Sequence, residues 1–503
     1  MVWTLLLLFL IVGTVCSWAS ILYLINCKWC SLFHAEEQPH HTHMGKISRV
    51  GGVGIIIGFF ISYSLFFVLF DSKDNQSLMH FSIFFGALAC FALGLIDDFK
   101  SVDSKLKFIF QILIAFFAHQ SGFKIDHVIL PFVEWDLDLD NFSLILTIIW
   151  FVSIMNLINL IDGLDGLAGG IGFMLMILLV ILSVEKGIGI STFLSLGMAG
   201  AILGFLIHNF PPARVYMGDS GAYTIGFVIA ALSLMNYQKG AVIAALLGPM
   251  IALALPILDV TFAIFRRGIQ GLPLFRPDKA HIHHQLMRLG LSHKNTVLIL
   301  YAISLVALFG GILIFSNQGR YFPIFLGFAM VIVIFAFRLY GNTASSIKQL
   351  FSESINTRSE TQNAIKLSKW LIGEVERIRQ AEYLWNDYEW LLKKLGYSKV
   401  VLSINGEEKI YEYSNQNYDL EDCYLSDRMT LDKLKKDSFI QFWGEKSRFS
   451  QRRFDLNCDI AFEAWVLATK RWKELNQDEY EFCGKAVEQK NATIEKARDL
   501  YLP

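Results

Sequence analysis

Apolar residues fill the first two thirds of the chain in long blocks cut by short polar segments, and the last third abandons that pattern. A helix crosses a bilayer with about 20 mostly apolar residues. On that basis eleven spans are predicted, near 2–26, 52–70, 81–96, 106–119, 143–160, 169–184, 189–207, 222–236, 241–264, 297–315 and 321–339. The fourth and sixth are short. The first is expected to be a transmembrane helix and not a signal peptide, because no positive charge precedes Lys28 and its apolar run is too long.

From about residue 343 charges become dense. Thr357 to Leu395 reads as one or two amphipathic helices rich in Glu, Lys and Trp. Val400–Ile404 and Glu408–Tyr413 alternate like strands around Asn405-Gly406, a hairpin signal. Ser438–Trp443 reads as a further strand, and Asp459–Asn476 and Glu479–Leu500 as helices. The predicted fold class is therefore an α-helical polytopic membrane protein of about eleven transmembrane helices, residues 1–342, with a C-terminal cytoplasmic α+β domain, residues 343–503. The order of elements in that domain resembles a GAF-type sensor.

Composition agrees: 54% hydrophobic residues, 42 Phe and a mean hydropathy of +0.45 fit a membrane chain too long for one ordinary domain. A net charge of −1 says nothing about nucleic acid, and no nucleic-acid partner is expected. Seven scattered cysteines read as reduced, packed thiols. Charge also sorts the loops. Loops after odd-numbered spans, with Lys107 at the edge of the fourth span, carry thirteen Lys and Arg, those after even-numbered spans five. The positive-inside rule then makes the odd loops cytoplasmic, with the N-terminus outside and the C-terminus inside. Every polar motif falls in or beside a cytoplasmic loop, as segments of one active site would.

Asp97-Asp98 ends the third span. Adjacent carboxylates favour a shared cation, with Mg²⁺ the usual one, although acids are also common at solvated helix ends. Lys105 and Lys107 suit phosphate oxygens or serve as anchors at the interface. Asn156, Asn159, Asp162 and Asp165 lie among glycines at the mouth of an apolar span, where ionisable groups usually mark function. Met217-Gly-Asp219-Ser-Gly221 opens another span, with Asp219 either a helix cap or a ligand at the interface. His281, His283 and His284 sit beside Arg276 and Lys279, better suited to phosphate or sugar than to Zn²⁺, because adjacent histidines do not easily reach one tetrahedral ion. Mg²⁺-assisted phosphoryl transfer at an interface would use all of these groups.

These residues resemble the polyprenyl-phosphate N-acetylhexosamine-1-phosphate transferases of glycosyltransferase family 4. The resemblance rests on His43-Met-Gly-Lys-Ile-Ser-Arg49-Val-Gly51-Gly52, Gly94-Leu-Ile-Asp97-Asp98, Lys107-Phe-Ile-Phe-Gln111, Asn156 through Gly170, Asn209 through Gly221, and Pro277-Asp-Lys-Ala-His281-Ile-His-His284. It covers residues 1 to about 340. It implies transfer of a sugar-1-phosphate from a UDP-N-acetylhexosamine to undecaprenyl phosphate, with release of UMP, in the bacterial inner membrane. The product would start a cell-surface polysaccharide such as O-antigen. The His-Ile-His-His form favours UDP-GlcNAc.

By position, the resemblance implies that Asp219 holds Mg²⁺, with Mn²⁺ a substitute, and that Asp97 and Asp98 form the acidic pair near the metal. Asp97 is the better candidate to take a proton from the lipid phosphate. Lys107 would meet the phosphates. Arg49 falls in the first motif and counts among the substrate-binding residues. Asn156, Asn159, Asp162 and Asp165 would wall the nucleoside side, and Asn209 and Tyr216 would contact uracil. His281, His283 and His284 would read the sugar and pyrophosphate. Ser48 and Ala222 stand where the family often has Pro and Ser, and neither change removes a charge. The C-terminal domain is open to a role as homodimer contact, docking site for later glycosyltransferases or regulator. A transporter would be expected to hold its polar groups at the midplane, and a sensor would leave the loop motifs unused.

Overall fold

The computed structural model describes residues 2–27, 47–70, 77–100, 102–130, 135–139, 142–185, 187–237, 257, 261, 264, 267, 268, 271, 272, 286, 287, 290–316, 344–378, 381–404, 407–412, 424–431 and 438–476. The chain divides into two units. One is Met1–Glu37, Gly45–Phe265 and Phe275–Ser346; the other is Gln38–Met44, Arg266–Leu274 and Ile347–Pro503.

In the first unit the apolar blocks form helices α1 (Val2–Asn26), α2 (Gly51–Leu69), α3 (Ser77–Phe99), α4 (Ser104–Gln120), α5 (Ser143–Ile161), α6 (Leu167–Glu185), α7 (Ile190–Asn209), α8 (Gly218–Tyr237) and α9 (His293–Ser316). Seven helices among the described residues, α1 to α3 and α5 to α8, are long and apolar enough to cross a membrane. The fourth expected span is the 17-residue helix α4. The tenth lies in α9, whose described apolar stretch is His293–Val306. The ninth and eleventh fall mostly outside the described residues, so eleven spans are an expectation and seven the observation. A hairpin of β1 (His127–Leu130) and β2 (Trp135–Asp138) joins α4 to α5; hydropathy alone does not announce it.

The helices pack according to which faces they bury. α1 buries one stripe, Leu6, Phe9, Gly13, Ser17 and Ile21, and leaves Leu7, Ile11, Val15 and Trp18 exposed. That stripe lies on α7 and α2. Small residues let the backbones meet, as membrane helices commonly require. A Cβ on Gly13 would strike the Gly197 carbonyl, and one on Gly204 the Thr14 carbonyl. α8 is the central element, with every residue from Phe227 to Leu232 fully buried, packed against α3, α5, α2 and α6.

The second unit holds α10 (Ala344–Glu374) from Ile347 onward, α11 (Ala381–Leu395), β3 (Lys399–Ile404), β4 (Glu407–Glu412), β5 (Tyr424–Thr430), β6 (Phe439–Glu445) and α12 (Gln451–Asn476). The strands form an antiparallel sheet in the order β4-β3-β6-β5. Its core joins Val400, Leu402, Ile440 and Phe442 to Tyr388, Leu392, Phe454 and Trp465. The expected hairpin forms, with Val401 opposite Ile410. β5 is an addition. α12 starts eight residues earlier than the sequence suggests, because Phe454 and Cys458 continue the buried stripe of Ala461, Trp465 and Ala468. The predicted helix 479–500 lies outside the described residues.

Candidate active site

Two distant segments lie side by side and then turn into helices. Ser48 bridges Val215 in parallel, and the Ser48 carbonyl accepts the Tyr216 N–H at 2.9 Å. The Gly51 and Gly52 N–H groups donate to the carbonyls of Tyr216 and Met217, both at 3.0 Å. α2 and α8 therefore start from a common point. Glycine is required there: a Cβ on Gly51 would meet the Tyr216 carbonyl at 2.6 Å, and one on Gly94 of α3 would strike Ser220 N. Gly218 takes φ +71°, a left-handed turn that aims Asp219 out of the first turn of α8.

Asp219 is engaged from three elements. Asn159 Nδ2 of α5 donates to its Oδ1 at 2.8 Å. The Tyr223 hydroxyl, one turn along α8, donates to Oδ2 at 3.1 Å. Lys107 Nζ of α4 lies 3.5 Å from Oδ2 and 2.9 Å from Asp97 Oδ2. Asp97 also accepts the Val102 N–H at 2.7 Å and interacts directly with Asp219. Lys107 is thus clamped between two carboxylates that remain part-exposed, Asp97 at 12% and Asp219 at 24%. Asp98 is buried beside them, its oxygens on the N–H groups of Asp219 and Ser220 at 3.0 and 3.1 Å, with Arg49 Nη1 3.8 Å from Oδ1.

The remaining predicted residues divide by what they hold. Asn156 pairs with Gln111, Nδ2 to Oε1 at 2.7 Å, tying α5 to α4. Asp165 accepts the Ala213 N–H at 3.0 Å. Asn209 accepts the Gly166 N–H and donates to the Val215 carbonyl, both at 2.8 Å. Both side chains therefore staple the 162–166 loop to the 210–217 loop. Tyr216 is half-buried, its hydroxyl pushed up to about 12 by burial and by the charges of Asp165 and Asp162. Asp162 lies between α5 and α6, its carboxyl held well above the usual range by burial and by the charges of Asp219 and Asp98. His281, His283 and His284 lie outside the described residues.

Three participants escape a reading by residue type. Tyr223 carries a positional signal, four residues after Asp219 on one helix face. Gln111 had only its place in a motif. Tyr301 of α9, whose hydroxyl donates to the Gly166 carbonyl, had none.

The donor set suits a hard divalent cation. Asp97 and Asp219 each place a carboxylate oxygen beside Lys107 Nζ, and Mg²⁺ commonly takes one or two carboxylates with substrate phosphates completing its shell. Among the described residues no three His, Cys, Asp or Glu form a closed metal cage.

From Lys107, Asn159 and Tyr223 an apolar cleft of about 850 Å³ runs between α4, α5 and α8. Phe108, Leu146, Ile149, Trp150, Leu160 and Ile264 line it.

Residues 80–237 match glycosyl transferase family 4. Over 300 residues, 59% of this chain and 82% of the relative, the sequence is 35% identical to a probable undecaprenyl-phosphate N-acetylglucosaminyl 1-phosphate transferase of Bacillus subtilis. It is 34% identical over 329 residues, 60% of this chain and 80% of the relative, to the decaprenyl-phosphate N-acetylglucosaminephosphotransferase of Mycolicibacterium smegmatis. Against the undecaprenyl-phosphate alpha-N-acetylglucosaminyl 1-phosphate transferase of Haemophilus influenzae it is 29% identical over 315 residues, 60% of this chain and 86% of the relative.

Proposed function

Because the chain belongs to glycosyl transferase family 4, we propose that it moves N-acetylhexosamine-1-phosphate, GlcNAc-1-phosphate first of all, from a UDP-sugar to undecaprenyl phosphate. UMP leaves, and the sugar stays on a lipid pyrophosphate that starts a cell-surface polysaccharide. The observation that carries this reading is the cleft, whose apolar length ends at Lys107, Asn159 and Tyr223, the residues that hold Asp219. An acceptor with an apolar tail and an anionic head needs that combination.

In the proposed reaction an oxygen of the lipid phosphate attacks the sugar-bearing phosphorus of the UDP-sugar. A new P–O bond forms and the P–O bond to the UMP phosphate breaks. Lys107 meets the incoming phosphate from its seat between Asp97 and Asp219. Asp97 lies where it can take any proton left on the lipid phosphate. Asp219 with Asp97 would hold Mg²⁺, or Mn²⁺ in its place, and the ion would neutralise charge on the bridging pyrophosphate. Arg49, Asp162 and Tyr216 form the nucleotide side, and Asp165 and Asn209 shape it from behind by fixing both loops. The membrane is the bacterial inner membrane, and the site faces the cytoplasm on the charge sorting of the loops.

The test is to incubate the purified protein with UDP-GlcNAc, Mg²⁺ and undecaprenyl phosphate. UMP should appear in step with the lipid-linked sugar and only with the lipid present. No UMP from any UDP-N-acetylhexosamine in a panel would sink the reading.

A further inference from the structure

We propose that Asp98 is a positioning residue: it caps α8 from the neighbouring helix α3, thereby aims Asp219, and does not itself hold the cation. The inference deepens the proposed function and rests on Asp219 being the cation's ligand.

The first N–H groups of a helix have no partner within it, and a side chain just before the helix usually accepts them. α8 has no such side chain. Met217 precedes the helix without a side-chain oxygen, and Gly218, its first residue, lies in a left-handed turn. The acceptor comes from another element instead. Asp98 Oδ1 takes the Asp219 N–H at 3.0 Å and Oδ2 takes the Ser220 N–H at 3.1 Å. A carboxylate at this place also meets the positive end of the helix dipole. Arg49, 3.8 Å away, adds a second positive partner.

The surrounding sequence keeps room for this cap. A Cβ on Gly218 would meet Asp98 Oδ2 at 2.5 Å, and one on Gly94 would strike the Ser220 nitrogen and separate α3 from α8. The two neighbouring acids thus differ in kind. Successive helical residues point about 100° apart. Asp97 turns to Lys107 and Asp219 and stays part-exposed. Asp98 turns inward, with 1% of its side chain exposed and an N–H on each oxygen. It has no open path to an ion in the cleft.

The test uses the full-length protein in lipid nanodiscs with Asp98→Asn, Asp98→Cys, Asp219→Asn and Asp219→Cys. Three readouts are taken: amide hydrogen exchange of the peptide spanning residues 217–224, Mn²⁺ binding by electron paramagnetic resonance, and UMP release with Mg²⁺ or Cd²⁺. Asp98→Asn keeps one acceptor, so exchange at 219 and 220 should rise about tenfold. Turnover should fall about tenfold or more while some activity survives, because Asp219 is held less firmly. Mn²⁺ should still bind with an affinity within about threefold of wild type, whereas Asp219→Asn should lose it. Cd²⁺, which accepts thiolate, should restore activity to Asp219→Cys and not to Asp98→Cys.

Restoration of Asp98→Cys by Cd²⁺ overturns the proposal. So does loss of Mn²⁺ binding in Asp98→Asn with exchange unchanged at residues 217–224. If the wild type makes no UMP, the proposed function fails, and the exchange and Mn²⁺ readouts still decide whether Asp98 caps α8.

Discussion

Asp219 owes its chemistry to its neighbours. Asn159 and Tyr223 each donate a hydrogen bond to it, and Lys107 supplies a nearby charge. A ligand held in one orientation binds an ion without first ordering itself. Tyr223→Phe removes one donor and keeps the ring that fills the α8 surface. Its rate of UMP release should fall about tenfold with little change in thermal stability. A wild-type rate would mean that the hydroxyl does not orient Asp219. Asp162 gives a prediction of opposite sign. Its folded carboxyl is raised above the unfolded value by burial and by the charges of Asp219 and Asp98. A raised carboxyl favours the protonated fold, so its contribution is complete below the unfolded value, near pH 4, and is lost as pH rises through the folded value. Asp162→Asn should therefore raise the unfolding temperature at pH 7.5 by about 2 °C without Mg²⁺, and by less at pH 5. Scanning fluorimetry at both pH values checks this; destabilisation at pH 7.5 would contradict it. The sequence shows Asp219, Asn159 and Lys107 as candidates because polar groups are costly beside apolar spans. It hides the tasks of Asp165 and Asn209. Their side chains face inward onto loop backbone, which residue type cannot reveal.

At the scale of elements, the site depends on how closely three helix starts and ends approach. α2 and α8 share the junction formed by Ser48–Gly52 with Val215–Met217, and α3 touches it at Gly94. Gly94→Ala would push a methyl group into Ser220 N, so the helices must part. Overpacking of this kind costs about 1–3 kcal/mol. The expected result is a lower unfolding temperature together with a more than tenfold loss of UMP release, since Asp98 moves with α3. Full activity in Gly94→Ala would show that the α3–α8 contact does not set the site. Hydropathy finds these helices because each buries or exposes a long apolar length. It cannot find their junction, which consists of backbone bonds between segments far apart in the chain. β5 escapes for a related reason: of the described side chains over residues 424–429, only Leu425 is buried, so alternation is weak. By contrast, β3 and β4 meet at a two-residue turn signal, and that pairing is read directly.

At the scale of the molecule, the chain has two units, each with a core of its own. The site residues described here all belong to the first, and so does the cleft. The second closes its sheet over Tyr388, Phe442 and Trp465 and shares none of them with the site. Removing the chain beyond residue 342 should therefore spare the catalytic geometry. It should not be neutral, because Arg266–Leu274 groups with that unit and Gly271 lies against the Arg358 side chain. This segment precedes the His281-Ile-His-His motif in the sequence. A chain ending at residue 342 should keep its maximal rate of UMP release within about threefold, while KM for UDP-GlcNAc rises, as expected when a positioning contact is lost and the reacting groups remain. Steady-state kinetics in matched nanodiscs distinguishes the outcomes. A raised KM with retained turnover would assign the residues beyond 342 to ordering Arg266–Leu274. Complete loss of turnover in a protein that still inserts and unfolds cooperatively would mean that the second unit completes the site, and the separation of tasks argued here would be wrong.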